Sequence, residues 1–206
     1  MGISVKKKDI LLVTEFVNGK SMQDLNEDET PLCETNKIKL IREVLKGIAY
    51  LHEVGFIHGD VKPGNVLVSS KLDIAKLCDF GLDKLRQHTS LSVARFSIGD
   101  TVLEGTLTYM SPERIFNKDG ACQESDIWSL GITLLEFLTL EYAYEDNLES
   151  MEGDSDIIKF INVFKAGLSP TAINKLSSIH KYNIQLCVNY NKNERPTALQ
   201  LLKFEW

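Results

Sequence analysis

The sequence predicts an α+β fold in which a β-hairpin precedes a mainly helical body. Three observations support this prediction. Two apolar runs of strand length flank a charged turn near the start, and apolar residues recur at helical spacing over residues 37–52. Over residues 126–138, apolar residues would lie on nearly all sides of a helix. Spacings of three and four positions indicate an amphipathic helix, whereas a helix that is apolar on all sides lies in a core.

Composition narrows the classes of protein that fit this chain. Its 206 residues are 43% hydrophobic and 25% charged, which is typical of one globular domain. No apolar run approaches the roughly 20 residues that cross a bilayer, and the four scattered cysteines suggest reduced thiols. We therefore expect a cytoplasmic, intracellular protein without a membrane partner. The net charge of -6 argues against nucleic-acid binding, because phosphate backbones need a basic surface.

The first predicted element is the hairpin. Residues 2–5 and 10–16 are its strands, residues 6–9 are the charged turn, and Asn18 and Gly19 break the second strand.

The helices are predicted from apolar spacing and from their ends. After the helix over residues 37–52, Asp126 opens the buried helix, and a short helix over residues 156–165 ends at Gly167. Ser169 and Pro170 predict a further helix start, because proline is favoured at the first helical position. Residues 196–203 form the last helix, and the seven acidic residues over 141–156, with no Lys or Arg, predict a solvated loop.

One stretch carries a dense set of chemical groups. Asp60, Lys62 and Asn65 share a loop that leads into an apolar strand, and Asp79 starts an Asp-Phe-Gly triplet near the end of the apolar run 74–80. Phosphoryl transfer needs a carboxylate to take the proton of the attacking hydroxyl, a cation near the phosphate, and oxygen ligands for Mg²⁺. These four residues supply all of them.

This pattern closely resembles the catalytic loop and the metal-binding turn of eukaryotic protein kinases. The resemblance implies ATP and Mg²⁺ as cofactors, Asp60 and Lys62 as catalytic residues, and Asn65 and Asp79 as metal ligands. It also implies a protein-kinase-like fold, in which a mainly helical C-lobe follows a remnant β-hairpin of the N-lobe. In this resemblance, residues 1–17 hold the last two N-lobe strands and the hinge, and residues 18–206 are the C-lobe.

The resemblance also implies the positions that bind the nucleotide. Thr14 would be the gatekeeper at the back of the pocket, and the backbone of Glu15 and Val17 would face the adenine. Leu67 and Asp79 complete the implied cofactor-binding set.

A small-molecule phosphotransferase is one alternative, because such enzymes share the His-Gly-Asp string. Later features resemble protein kinases instead: the segment 105–113, the helix start at Asp126, and Arg195, which the resemblance pairs with Glu113. The resemblance to protein kinases also implies that Asp126 holds the backbone of the catalytic loop.

The acceptor is expected to be a serine or threonine hydroxyl of a protein. Lys62 together with Thr106 resembles the Ser/Thr-specific enzymes, in which the Thr hydroxyl bonds the catalytic Asp and the Lys. Dual specificity stays open, and the chain looks like the tyrosine-kinase-like or MAP-kinase-kinase-like branch. Gly59 is a departure, since many protein kinases have Arg there.

Three kinase features are not found upstream of the hairpin: the glycine-rich loop, the strand Lys and the helix Glu. We therefore expect residues 1–206 alone to be weakly active or inactive, because each lost charge-stabilising donor costs roughly 2.7–4 kcal/mol at the transition state. A non-enzymatic fragment or pseudokinase that binds a partner kinase or scaffold is the second alternative. The intact set of Asp60, Lys62, Asn65 and Asp79 argues against it.

Overall fold

The computed structural model describes residues 2–6, 9–29, 31–79, 107–116, 120–150 and 156–206. The predicted hairpin is present: strands β1 (Gly2–Lys6) and β2 (Asp9–Val13) pair antiparallel, with Gly2 opposite Val13. The second strand ends earlier than predicted. Thr14 and Phe16 have high strand propensity, but the register leaves them without a partner in the described part of β1.

A second sheet supports the catalytic loop. Strands β3 (Gly19–Ser21), β4 (Val66–Ser69) and β5 (Ala75–Leu77) form an antiparallel sheet in that order. Strand β3 was not predicted, because an Asn-Gly pair such as Asn18-Gly19 is typical of a turn that ends a strand. A Cβ on Gly19 would come within 1.8 Å of the Val68 carbonyl oxygen, so this glycine allows close strand pairing instead of a turn.

Two helices build the core. Helix α1 (Met22–Glu27) leads to the long α2 (Glu34–Glu53), which buries the apolar face that the sequence predicted. After α3 (Pro112–Phe116), helix α4 (Gln123–Thr139) is buried continuously over residues 125–137. Both the amphipathic prediction for α2 and the fully buried prediction for α4 are confirmed. The body is thus a helical lobe with a small sheet on it, as the α+β prediction stated.

Helix ends differ from the predictions where polar residues extend or shorten a helix. Asp126 does not open α4, because Gln123, Glu124 and Ser125 add a polar turn before it. The Ser125 hydroxyl accepts a hydrogen bond from the Cys122 N–H at 2.9 Å, which caps this turn.

Some boundaries of the C-terminal helices also differ from the predictions, where capping residues set them. The prediction of a loop over residues 141–156 is wrong for part of that segment, which contains α5 (Glu145–Glu149). Helix α6 (Asp156–Lys165) is confirmed, with Gly167 after it at φ 66°. Pro170 precedes only the 3-10 turn Thr171–Lys175, and α7 (Ser178–Cys187) starts later, capped by Ser177. The last helix, α8 (Ala198–Leu201), starts later than predicted because Thr197 caps it, and it also ends two residues earlier than predicted. No helix in the described ranges is both long and apolar enough to span a bilayer.

Candidate active site

The end of α2 and the second sheet position the predicted catalytic loop. The chain leaves α2, passes through residues 58–62, forms the 3-10 turn Pro63–Asn65 and enters β4. Strand β4 pairs with β5 so that Val66 lies opposite Leu77. The Cys78 N–H therefore donates to the Asn65 carbonyl at 3.0 Å, and this contact places Asp79 one residue beyond the partner of Asn65.

Asp60 is held by the two loop residues that the sequence singled out. Its Oδ2 accepts a hydrogen bond from Asn65 Nδ2 at 3.0 Å and lies 3.0 Å from Lys62 Nζ. Asn65 Nδ2 also donates to the Asp60 carbonyl oxygen at 2.7 Å. The side chain of Asp60 is 14% exposed and that of Lys62 is 25% exposed, so this carboxylate is ordered yet accessible from one side.

The donor set fits a magnesium ion. Among the described residues, the Asn65 side chain forms its hydrogen bonds through Nδ2, so its amide oxygen could serve as a metal ligand. Asp79 directly follows Cys78, the residue that bonds the Asn65 carbonyl, and would add a carboxylate. Mg²⁺ prefers such oxygen ligands. The backbone of Asp79 has φ 57°, a left-handed conformation that Asp tolerates better than most residues.

Asp126 organises the backbone just before Asp60. Its two carboxylate oxygens accept the N–H groups of His58 and Gly59, each at 2.8 Å, and Oδ2 also lies 2.9 Å from His52 Nε2. Asp126 is 2% exposed. The implied role of Asp126 as the holder of this loop is therefore present in the geometry.

His58 lies in the core beside the catalytic loop, and its Nδ1 accepts a hydrogen bond from the Asp60 N–H at 3.3 Å. It is fully buried, and burial lowers the pKa of its imidazole below the usual value and favours the neutral ring.

Glu113 and Arg195 form the pair that the resemblance implied. Arg195 donates to both carboxylate oxygens of Glu113, at 2.7 and 2.8 Å, and its guanidinium lies 5.0 Å from the centre of the Trp128 ring. Burial alone would raise the pKa of Glu113, but the hydrogen bonds and charge of Arg195 outweigh it and hold that pKa below its usual range. The pair ties α3 to the helical core.

Comparison with known proteins agrees with this geometry. The family model described as protein kinase domain matches residues 1–206. The chain belongs to the protein kinase family.

Relatives of this kinase domain include MAP kinase kinases and MAP kinase kinase kinases. It is 32% identical over 203 residues to mouse mitogen-activated protein kinase kinase kinase 19, covering 98% of the chain and 15% of the relative. It is 32% identical over 199 residues to Arabidopsis thaliana mitogen-activated protein kinase kinase 1, covering 96% and 53%. The sequence analysis named the tyrosine-kinase-like or the MAP-kinase-kinase-like branch, and these relatives carry names of the MAP-kinase cascade. The chain spans about half or less of the length of these relatives.

A solved structure supports the fold. The crystal structure of Rad53 1-466 in complex with AMP-PNP superposes with a TM-score of 0.73 at 23% identity, covering 98% of this chain and 48% of that one. The prediction of a protein-kinase-like fold is thereby confirmed.

The remaining predicted site residues are the four implied to bind the adenine and Thr106. Thr14 and Glu15 are exposed, while Val17 and Leu67 are half-buried. Glu15 pairs with Lys76 of β5 at 3.2 Å, which brings residues just after the hairpin to the edge of the second sheet. Thr106 lies outside the described residues, as do Phe80 and Gly81, so the predicted role of Thr106 stays a prediction.

Sequence reasoning missed two polar contacts of the kinase domain's loop. His52 reaches Asp126 from the last turn of α2, and Arg114 of α3 donates to the Gly59 carbonyl at 2.8 Å. His52 stands six residues before His58 on a predicted core helix, where a polar side chain is a weak signal for a buried partner. Nothing in the sequence pattern distinguishes Arg114 from an ordinary surface residue.

Proposed function

We propose that this kinase domain transfers the γ-phosphate of ATP to serine and threonine hydroxyls of proteins, with Mg²⁺ as the metal. The observation that carries the proposal is the Asp60 carboxylate, held by both Lys62 and Asn65 at 3.0 Å. Asn65 is in turn bonded through its carbonyl to the residue before Asp79. One small region thus contains the base, the cation and the metal ligands that phosphoryl transfer requires.

Each residue has a chemical task in this proposal. Asp60 accepts the proton of the attacking hydroxyl, a general-base contribution of roughly 10²–10⁴-fold. Lys62 neutralises charge that develops on the transferred phosphate. Asn65 and Asp79 provide the oxygen ligands of the metal, which would neutralise phosphate charge when bound. Thr106, in the segment 105–113, is proposed to bond Asp60 and Lys62.

The adenine end of the nucleotide is proposed to lie against residues 14–17 and β4. Thr14 forms the back of this pocket, Glu15 and Val17 offer backbone groups to the base, and Leu67 contributes apolar surface. In this division residues 1–17 belong to the N-lobe and residues 18–206 to the C-lobe. The Glu15–Lys76 contact supports the proposed place of the adenine, because it brings Glu15 beside the strand that leads to Asp79.

We expect residues 1–206 on their own to transfer phosphate slowly. The glycine-rich loop and the strand Lys that hold ATP phosphates in protein kinases are not among these residues. Activity should therefore be measured both with residues 1–206 and with the protein in its natural length.

The experiment compares acceptors and variants. Full-length protein is incubated with radiolabelled Mg·ATP and either a Ser/Thr-rich acceptor protein or a small hydroxyl acceptor such as choline or an aminoglycoside, and labelled amino acids are then identified. Asp60→Asn should abolish labelling. Asp73→Asn is the matched control, because Asp73 accepts the Ser69 hydroxyl at 2.7 Å in the β4–β5 turn, away from the site.

The outcomes separate the candidate functions. Phosphoserine and phosphothreonine that depend on Asp60 but not on Asp73 support the proposal. Phosphotyrosine in addition would indicate dual specificity, a term that also occurs in the name of a Dictyostelium discoideum relative, dual specificity mitogen-activated protein kinase kinase 1, 39% identical over 140 residues. Label on the small acceptor alone would overturn the protein substrate. Nucleotide binding without any transfer would favour a partner-binding pseudokinase.

A further inference from the structure

The contact between Arg114 and the catalytic loop carries an inference about how Asp60 is positioned. Arg114 Nη1 donates to the Gly59 carbonyl oxygen at 2.8 Å. This carbonyl belongs to the peptide group that joins Gly59 to Asp60. A charged donor on a peptide oxygen is among the stronger hydrogen bonds in proteins, so it fixes the plane of the peptide that leads into the catalytic carboxylate.

The same loop is held from its other side. Asp126 accepts the N–H groups of His58 and Gly59 at 2.8 Å each. Gly59 is therefore bonded at its N–H by an anion from α4 and at its C=O by a cation from α3. Its φ of 81° is a left-handed conformation that glycine adopts without a steric cost, and the two bonds select this conformation from the many open to glycine.

Helix α3 has docking contacts other than those of Arg114. The preceding residue, Glu113, already anchors that helix to the core through its two bonds to Arg195. Ser129 and Glu136 of α4 hold the chain just before α3, through hydrogen bonds of 2.6 Å to the Tyr109 carbonyl and from the Tyr109 hydroxyl. With α3 docked by these contacts, the bond from Arg114 acts on the loop.

We propose that Arg114 is a positioning residue for phosphoryl transfer, which sets the direction of Asp60 through the Gly59–Asp60 peptide. The inference rests on the proposed function, because it needs Asp60 to be the base. It links the seating of α3 to the geometry of the carboxylate. A catalytic group displaced by about 1 Å loses on the order of 10²-fold in rate, so a loosened peptide should be visible in kcat.

The test uses the full-length protein with three variants. Arg114→Ala removes the bond, and Arg114→Lys keeps a cation that can still donate to the Gly59 carbonyl. Arg42→Ala is the matched control, because Arg42 also donates to a main-chain carbonyl, that of Leu202 at 3.3 Å, far along the chain from the site. Rates are expressed per nucleotide-binding molecule, so that loss of folded protein does not count as loss of catalysis.

Arg114→Ala should lower kcat about 10- to 100-fold with the KM values for ATP and acceptor nearly unchanged. Arg114→Lys should recover a large part of kcat, and Arg42→Ala should match the wild type. If Arg114→Ala lowers only the fraction of competent molecules, with kcat per molecule unchanged, Arg114 is merely structural and the inference is wrong. If wild-type transfer is active but does not depend on Asp60, the proposed function fails instead.

A second readout needs no activity. Amide hydrogen exchange reports the opening of individual backbone groups, and the Asp60 amide belongs to the peptide that Arg114 holds. Its exchange should become about tenfold faster in Arg114→Ala and stay at the wild-type rate in Arg42→Ala. Unchanged exchange at Gly59 and Asp60 in Arg114→Ala would overturn the inference whether or not the protein transfers phosphate.

Discussion

The guanidinium of Arg195 holds the Glu113 carboxylate through two hydrogen bonds of 2.7 and 2.8 Å. The Arg195 side chain is 0% exposed, and two further donors reach the carbonyl oxygens of Asn189 and Glu124 at 2.7 and 2.8 Å. The pair is thus buried, and four of the five guanidinium N–H groups have an acceptor. Removing one member of such a pair leaves an uncompensated charge in the interior, which costs more than the intact pair contributes.

Arg195→Ala should therefore destabilise the domain by about 3–5 kcal/mol. Arg195→Lys should also be strongly destabilising, because an ammonium group cannot reproduce the planar two-bond contact. The measurement is the free energy of unfolding in urea. Lys175→Ala is the control: it breaks an exposed pair with Glu141 and should change stability little. Equal losses in the Arg195 and Lys175 variants would contradict the structural role of the buried pair.

The pH dependence of stability should reveal the ionised Glu113. Its folded-state pKa lies below the usual 4.5, so its contribution is fully present above that value and is lost as pH falls through the lowered folded-state pKa. The unfolding free energy of wild type minus that of Glu113→Gln should shrink in acid, as measured by urea titrations from neutral pH downward. Burial raises the pKa of Glu136, so the corresponding difference for Glu136→Gln should change in the opposite direction. A Glu113 difference that stays constant in acid would contradict this assignment.

Asp126→Asn should weaken the fold and the site together. The carboxylate accepts two backbone N–H groups, and an amide offers only one oxygen, so one buried donor loses its partner at a cost of about 1–3 kcal/mol. Unfolding free energy and Asp60-dependent transfer should both fall. Asp146→Asn, an exposed change in α5, should leave both near the wild-type values. Full transfer activity in Asp126→Asn would show that the loop does not need this anchor.

Gly59 and Gly55 provide a matched pair for backbone strain. Their φ values are 81° and 79°, and a left-handed conformation costs a residue with a Cβ about 1–2 kcal/mol. Ala at either position should lower the unfolding free energy by about that amount. Only Gly59→Ala should also lower kcat, because Gly55 has open space around it and lies outside the site. An unchanged stability in both variants would mean that neither conformation is required.

Sequence reasoning recovered the parts of the site that depend on short spacings. Asp60, Lys62 and Asn65 lie within one loop, so their convergence follows from local geometry, and the Glu113–Arg195 pair followed from the kinase resemblance. The prediction of α4 succeeded because a helix with apolar residues on nearly all sides has few places outside a core. These predictions were strong because pattern and burial agree.

The parts that sequence reasoning missed depend on long-range contacts. Strand β3 exists because Gly19 permits close approach to Val68, and neither residue signals the other. The contacts of His52 with Asp126 and of Arg114 with Gly59 join residues far apart in the chain. Helix starts were misplaced where caps such as Thr197 decide the boundary. The role of Thr106 stays a prediction.

The most direct measurement of the central claim is Mg²⁺-dependent binding of a non-hydrolysable ATP analogue to the full-length protein. Mg²⁺ should increase the affinity of the wild type for the analogue. If Asn65 and Asp79 hold the metal beside Asp60, this increase should be smaller by at least about tenfold in Asn65→Ala and in Asp79→Ala. Asp60→Asn should keep that affinity while losing transfer. Mg²⁺-dependent affinity that survives in both Asn65→Ala and Asp79→Ala would contradict the account.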